Sequence, residues 1–106
     1  MTAAPNTTTI AVRKKLHLKK NSNGKPYVDQ DPIELWSTKY EELQFVPDDS
    51  NAVFYVCFPR TTPFAQYHYS NAQPNSGPIQ PGATGEYKYN LELDGEIIDP
   101  IVIIRP

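Results

Sequence analysis

The chain is poor in the residues that carry most chemistry on small domains. Among 106 residues it has one cysteine, Cys57, two histidines, His17 and His68, one methionine, Met1, and one tryptophan, Trp36. A single cysteine excludes an intrachain disulfide, the usual brace of small secreted domains. That favours a reducing compartment such as the cytoplasm. The periplasm stays open, because disulfide-free domains occur there too. No apolar run approaches the roughly 18 residues that cross a bilayer as a helix, so no membrane segment is expected. The opening Met1-Thr2-Ala3-Ala4-Pro5-Asn6-Thr7-Thr8-Thr9 has neither the charged start nor the apolar stretch of a signal peptide, although one removed earlier would leave no trace. No glycine-rich phosphate loop is present. Glycine itself is scarce, five against eleven prolines. Proline is kept out of helix interiors and central strands, so this ratio reads as short strands joined by many turns.

What is present fits one globular domain. Hydrophobic residues make up 39% and charged residues 21%, which separates the chain from disordered sequences. Its length allows one core and not two. Residues 1–8 are small and polar and read as a flexible tail, leaving 9–106 as the domain. The net charge of −2 hides an asymmetry. Residues 1–25 carry +6 and no acid, and the remainder carries −8.

Period-two alternation recurs along the chain. Ile10, Val12, Leu16 and Leu18 share one parity, with Arg13, Lys15, His17 and Lys19 on the other, as on an edge strand with one wet face. A turn at Asn21–Pro26 follows, then short strands around Tyr27-Val28, Ile33–Ser37 and Leu43–Val46. Ala52–Phe58 is almost continuously apolar, which reads as a strand buried on both faces. Residues 59–85 hold five prolines and only one short strand candidate, Gln66–Tyr69; so long an irregular stretch tends to carry function. Tyr87, Tyr89, Leu91 and Leu93 alternate with polar residues in the clearest strand, Asp94-Gly95 signals a hairpin, and Ile101–Ile104 closes the domain. About seven strands and no period of 3.6 predict an all-β fold, a single β-sandwich.

The order of these pieces carries a resemblance. Asp29-Gln30-Asp31-Pro32-Ile33-Glu34-Leu35-Trp36-Ser37 resembles the early strand of cupredoxins. Pro81-Gly82-Ala83-Thr84-Gly85-Glu86-Tyr87-Lys88-Tyr89, with the β-branched strand after it, resembles their carboxy-terminal hairpin. The chain is most similar to small bacterial proteins with a cupredoxin-like sandwich and a Tyr-x-Tyr…Asp-Pro ending; an immunoglobulin-like sandwich has a similar pattern. The resemblance implies copper held by a His after the Trp strand and by Cys, His and often Met between the last two strands. Here Ser37-Thr38-Lys39-Tyr40 and Asp94–Pro100 contain none of them, and copper of that kind needs a His₂Cys donor set.

The residues therefore predict no catalytic residue, no metal ligand and no cofactor. The expected function is a non-enzymatic binding or structural domain, with a protein partner or a small ligand. Two alternatives stand beside it: a copper-binding protein with unusual ligands, and a nucleic-acid binder using the basic strand 13–20. For the second, Arg13, Lys15 and Lys19 form a ridge that could meet phosphates, although lysines also guard strand edges and the rest of the chain is acidic. If a ligand binds, the expected surface is Phe64, Tyr67, His68 and Tyr69, which set aromatic and imidazole groups on a proline-stiffened segment. Cys57, between Val56 and Phe58, reads as a buried and unreactive thiol. A Cys57–His68 dyad is within reach across adjacent strands, but nothing in the sequence orients the imidazole.

Overall fold

The computed structural model describes residues 10–106, and the tail read over 1–8 lies outside them. The described chain is all-β. Ten strands form three small sheets, and no α-helix occurs among the described residues. In chain order they are β1 (Val12–Lys20), β2 (Pro26–Val28), β3 (Ile33–Trp36), β4 (Glu41–Pro47), β5 (Phe54–Cys57), β6 (His68–Ser70), β7 (Gly85–Lys88), β8 (Asn90–Leu93), β9 (Glu96–Ile98) and β10 (Ile101–Arg105). The sheets are β2-β1-β4, β3-β10-β7 and β6-β5-β8-β9. A single 3₁₀ turn, Ser37–Lys39, separates β3 from β4, and Lys39 lies over the Trp36 ring at 5.1 Å.

The alternation in β1 produces a strand, but not the expected edge. β1 sits between β2, antiparallel, and β4, parallel. Four of its five cations, all but Lys15, meet acids rather than guard an open edge. Arg13 reaches its register partner Glu42 at 3.9 Å, and Lys14 reaches the buried Glu41 at 3.3 Å. Glu41 also accepts the Trp36 N–H at 2.7 Å, so its carboxylate ties three strands together.

Each sheet turns one apolar parity inward. Leu16, Leu18, Leu43 and Phe45 come from the first, Ile33, Leu35, Val102 and Ile104 from the second, and Phe54, Val56, Tyr69, Leu91 and Leu93 from the third. Six aromatic rings link these contributions. Phe45 stands 6.0 Å from Phe54, 6.1 Å from Tyr69 and 6.0 Å from Tyr89, and Phe58 stands 5.3 Å from Tyr89 and 5.8 Å from Phe64. Tilted and edge-on pairs at such separations add to the apolar burial.

The run Tyr87–Leu93 is not one strand. β7 pairs with β10 and β8 with β5, so the chain changes sheets at Tyr89. There the Tyr89 N–H turns to the Pro100 carbonyl at 3.1 Å. The ring is fully buried, its hydroxyl has no hydrogen-bond partner among the described residues, and burial drives its pKa far upward. The hairpin at Asp94-Gly95 forms as its sequence requires. Both residues have positive φ, 49° and 89°, the signature of a type I′ turn, and Leu93 pairs with Glu96 across it.

The proline-rich stretch before β7 is tied to β4 by hydrogen bonds in both directions. A proline donates no N–H but still accepts. Phe45 N–H donates to Pro74 O at 2.9 Å, Ser76 N–H to Leu43 O at 2.8 Å, and Leu43 N–H to Ser76 Oγ at 2.9 Å. This segment thereby completes the free side of β4 without being a strand.

Candidate functional site

The Val53–Phe58 run is open on one face. Phe54, Val56 and Phe58 are buried, but Val53 is 48% and Tyr55 56% exposed, and Cys57 is half-buried. This corrects the reading of a strand buried on both sides and of Cys57 as fully buried. Both parities are apolar, so only the neighbouring elements decide which one faces the core. The inner parity meets the aromatic cluster, and among the described residues the outer is left exposed at Val53 and Tyr55.

The neighbours of β5 place polar residues beside that outer parity. Across β6, Tyr55 opposes Ser70 and Cys57 opposes His68; across β8, Tyr55 opposes Glu92 and Cys57 opposes Asn90; across β9, Glu92 opposes Ile97. Two rows result on the open face, Ser70–Tyr55–Glu92–Ile97 and His68–Cys57–Asn90. Phe58 N–H donates to Tyr67 O at 2.8 Å, which makes that pair the hydrogen-bonded one. The adjacent Cys57–His68 pair is then of the other kind, in which facing side chains lie closer. A shallow hollow of about 520 Å³ lies over these rows, bordered also by Ala72 and Gln73.

The structure divides the four residues expected to form a ligand surface. Phe64 and Tyr69 are core residues, 0% and 2% exposed, which corrects their assignment. Alternation in β6 turns Tyr69 inward, against Phe45, Phe58 and Phe64, and its hydroxyl donates to Ser76 O at 2.9 Å. Tyr67 and His68 are exposed, and of the four only His68 and Tyr69 border the hollow. Tyr55, Ser70, Asn90, Glu92 and Ile97 were missed. Their signal was the polar parity Asn90–Glu92 in the clearest strand, which points to an open face only once β8 is known to pair with β5.

A second hollow, about 570 Å³, lies between the 3₁₀ turn and Pro78–Gly82, lined by Ser37, Tyr40, Glu41 and Glu42. Its acids already answer Lys14 and Arg13. Among the described residues no group of three or more His, Cys, Asp or Glu side chains is placed to hold a metal, and no helix is long and apolar enough to cross a membrane.

The basic ridge is largely answered by the acidic remainder. Lys19 reaches Asp48 at 2.8 Å, Lys20 reaches Asp94 at 2.5 Å and Lys25 reaches Glu96 at 2.9 Å; His17 Nδ1 also lies 3.2 Å from Asp48. Of the ridge, Arg13 and Lys19 are paired, and Lys15 is exposed and belongs to none of the ion pairs among the described residues. Charges met internally release fewer counterions on nucleic acid.

These pairs fix an acid dependence. The Lys19 hydrogen bond holds Asp48 below its ordinary 3.8, and the Lys20 hydrogen bond does the same for Asp94, helped by the Val53 N–H. A carboxylate with a depressed folded pKa contributes stability above the ordinary value and loses it as pH falls through the folded one. The melting temperature is therefore expected to hold down to about pH 4 and to fall below it. Asp48→Asn with Asp94→Asn is expected to flatten that acid limb, and 1 M salt to shrink the difference, because both pairs are exposed. An unchanged acid limb in the double variant would remove these pairs from the account.

In comparisons with protein-family models, curated proteins and solved structures, nothing matches this chain.

Proposed function

We propose that the protein is a non-enzymatic binding domain whose ligand seat is the open face of β6-β5-β8-β9. One observation carries the reading: the exposed Tyr55 ring lies in a row of Ser70, Glu92 and Ile97, with Asn90, His68 and Gln73 around the same hollow. A half-exposed aromatic face ringed by donors and acceptors suits a small polar ligand with one flat apolar side, a sugar ring being the simplest. The seat stands on strands, so its side chains are already placed before the ligand arrives.

The non-enzymatic part rests on the arrangement of the second row. A thiol nucleophile needs an imidazole that is itself held by a third group. Asn90 lies across Cys57 from His68, on the wrong side to hold that ring. The scaffold we propose is a two-layer sandwich with cupredoxin-like order. Support comes from the two parallel pairings, β1 with β4 and β3 with β10, and from the change of sheet at Tyr89. Where cupredoxins carry copper ligands between the last strands, this chain has the two-residue turn Asp94-Gly95 and the short β9.

The test is amide chemical-shift mapping while a panel of mono- and disaccharides is titrated into the labelled protein. Shifts centred on Tyr55, Ser70, Asn90 and Glu92, lost in Tyr55→Ala, are expected. Shifts centred elsewhere, or none with any sugar at millimolar concentration, would overturn the reading.

A further inference from the structure

We infer that the free edge of β7 pairs with the same edge of a second copy, joining two chains into one continuous sheet. The ligand seat lies on a different sheet, so the two readings stand apart. In β3-β10-β7, the strand Gly85–Lys88 has β10 on one side and no strand on the other. One bond fixes the direction of its main-chain groups. Tyr89 N–H donates to Pro100 O at 3.1 Å, so that pair is hydrogen-bonded, and two residues away Tyr87–Val102 is the next. Glu86 and Lys88 belong to the alternate pairs, and their N–H and C=O groups point away from β10. Those groups meet no partner among the described residues.

Other edges are closed. Along β3, Lys14 donates to Glu34 O and Glu41 accepts from Trp36 N–H. Pro74 and Ser76 cover β4, and Gln73 folds back onto Ser70 at the end of β6. β2 begins with Pro26, which has no N–H to offer. β7 carries none of these closures, and a strand edge left so is a template for another strand.

The order of its charges selects a second copy. In an antiparallel pair centred on Tyr87, Glu86 of one protomer faces Lys88 of its partner, and the two-fold axis repeats the match. The facing residues are the ones whose main-chain groups are free, so charge and hydrogen bonding call for the same register. Sliding the partner by two residues, the smallest step that keeps that bonding, sets Glu86 against Glu86 or Lys88 against Lys88. Charge guards an edge when the facing strand carries the same sign; here the signs are opposite. Both side chains are available. Glu86 is exposed and belongs to none of the ion pairs among the described residues, and Lys88 answers only Asp99, at 3.4 Å with both side chains largely exposed. On the opposite face Tyr87 is half-buried against the core. In the paired state it faces its own copy in the closer, non-hydrogen-bonded kind of pair, which covers more of both rings.

The experiment uses the full chain without sugar. Sedimentation equilibrium from about 10 μM to about 1 mM covers the weak end of specific association, and a monomer–dimer equilibrium is expected. Glu86→Lys or Lys88→Glu alone should weaken it about tenfold or more, because each sets like charges across the axis. An equimolar mixture of the two variants should associate again, as should the double swap in one chain, which also shows that the altered chains fold. Tyr55→Ala should leave the dimer unchanged. Amide exchange should slow with rising concentration at Glu86 and Lys88 and not at Tyr87, whose N–H is already bonded to β10. A monomer at every concentration, undiminished association in the single variants, or none on mixing them would each overturn the inference. Slow exchange at Glu86 and Lys88 that is the same at every concentration would overturn it too, in favour of a segment of the same chain.

Discussion

Phe45→Ala is expected to destabilise the protein by about 3–5 kcal/mol, the range for emptying a buried aromatic site. Phe45 is 1% exposed and sits on β4, yet its ring meets Phe54 of β5, Tyr69 of β6 and Tyr89 at the sheet change. Its loss opens a void between two sheets rather than within one. Sheets cannot close on such a void without moving the strands that carry the other rings, so little of the cost is recovered by relaxation. For a domain of this size the melting temperature should fall on the order of 20 °C. Thermal and urea unfolding measure it. The control is Tyr55→Ala, an aromatic of similar size on the open face, expected to stay within about 0.5–1 kcal/mol of wild type. Equal losses in the two variants would mean that the aromatic cluster does not organise the core.

Ser76→Ala is expected to cost about 1–3 kcal/mol, although only an oxygen is removed. Ser76 is 4% exposed. Its Oγ accepts the Leu43 N–H at 2.9 Å and donates to Gly77 O at 2.9 Å, while its own carbonyl accepts the Tyr69 hydroxyl. Alanine leaves the Leu43 N–H buried without an acceptor, at the place where the proline-rich segment closes β4. A buried donor that loses its partner costs its full desolvation, which exceeds the net worth of an ordinary hydrogen bond. Ser70→Ala makes the comparison. Ser70 Oγ accepts the exposed Ala72 N–H at 3.2 Å, where water can replace it, so that variant should stay within about 0.5 kcal/mol. Hydrogen exchange at the Leu43 amide should quicken in Ser76→Ala alone. If the two serine variants unfold alike, the segment 74–76 is not an integral part of the β4 edge.

The candidate site shows where a sequence stops being informative. Asn90 and Glu92 were legible as a polar parity, and His68 as an exposed imidazole near aromatics. Their convergence with Tyr55 and Cys57 was not. It depends on β5 pairing with β6 on one side and β8 on the other. Phe64 and Tyr69 misled because an aromatic on a proline-rich segment looks available until the segment is seen folded against the core.

The sequence by itself determined which residues share a face. Leu16 and Leu18, Ile33 and Leu35, Leu43 and Phe45, Leu91 and Leu93, and Val102 and Ile104 are buried in pairs two apart, because side chains alternate along any strand whatever its partners. It also determined the Asp94-Gly95 turn, since few residue pairs tolerate two positive φ values in succession. Only the tertiary structure decided between faces of equal polarity, as at Val53–Phe58, where both parities are apolar and burial goes to the one that meets another sheet. It alone made β1 central, by bringing the acids of β4 to cations that would otherwise mark an edge. And it alone divided Tyr87–Leu93 between two sheets, because alternation continues unbroken through Tyr89 while hydrogen-bond partners are chosen by residues far away in the chain.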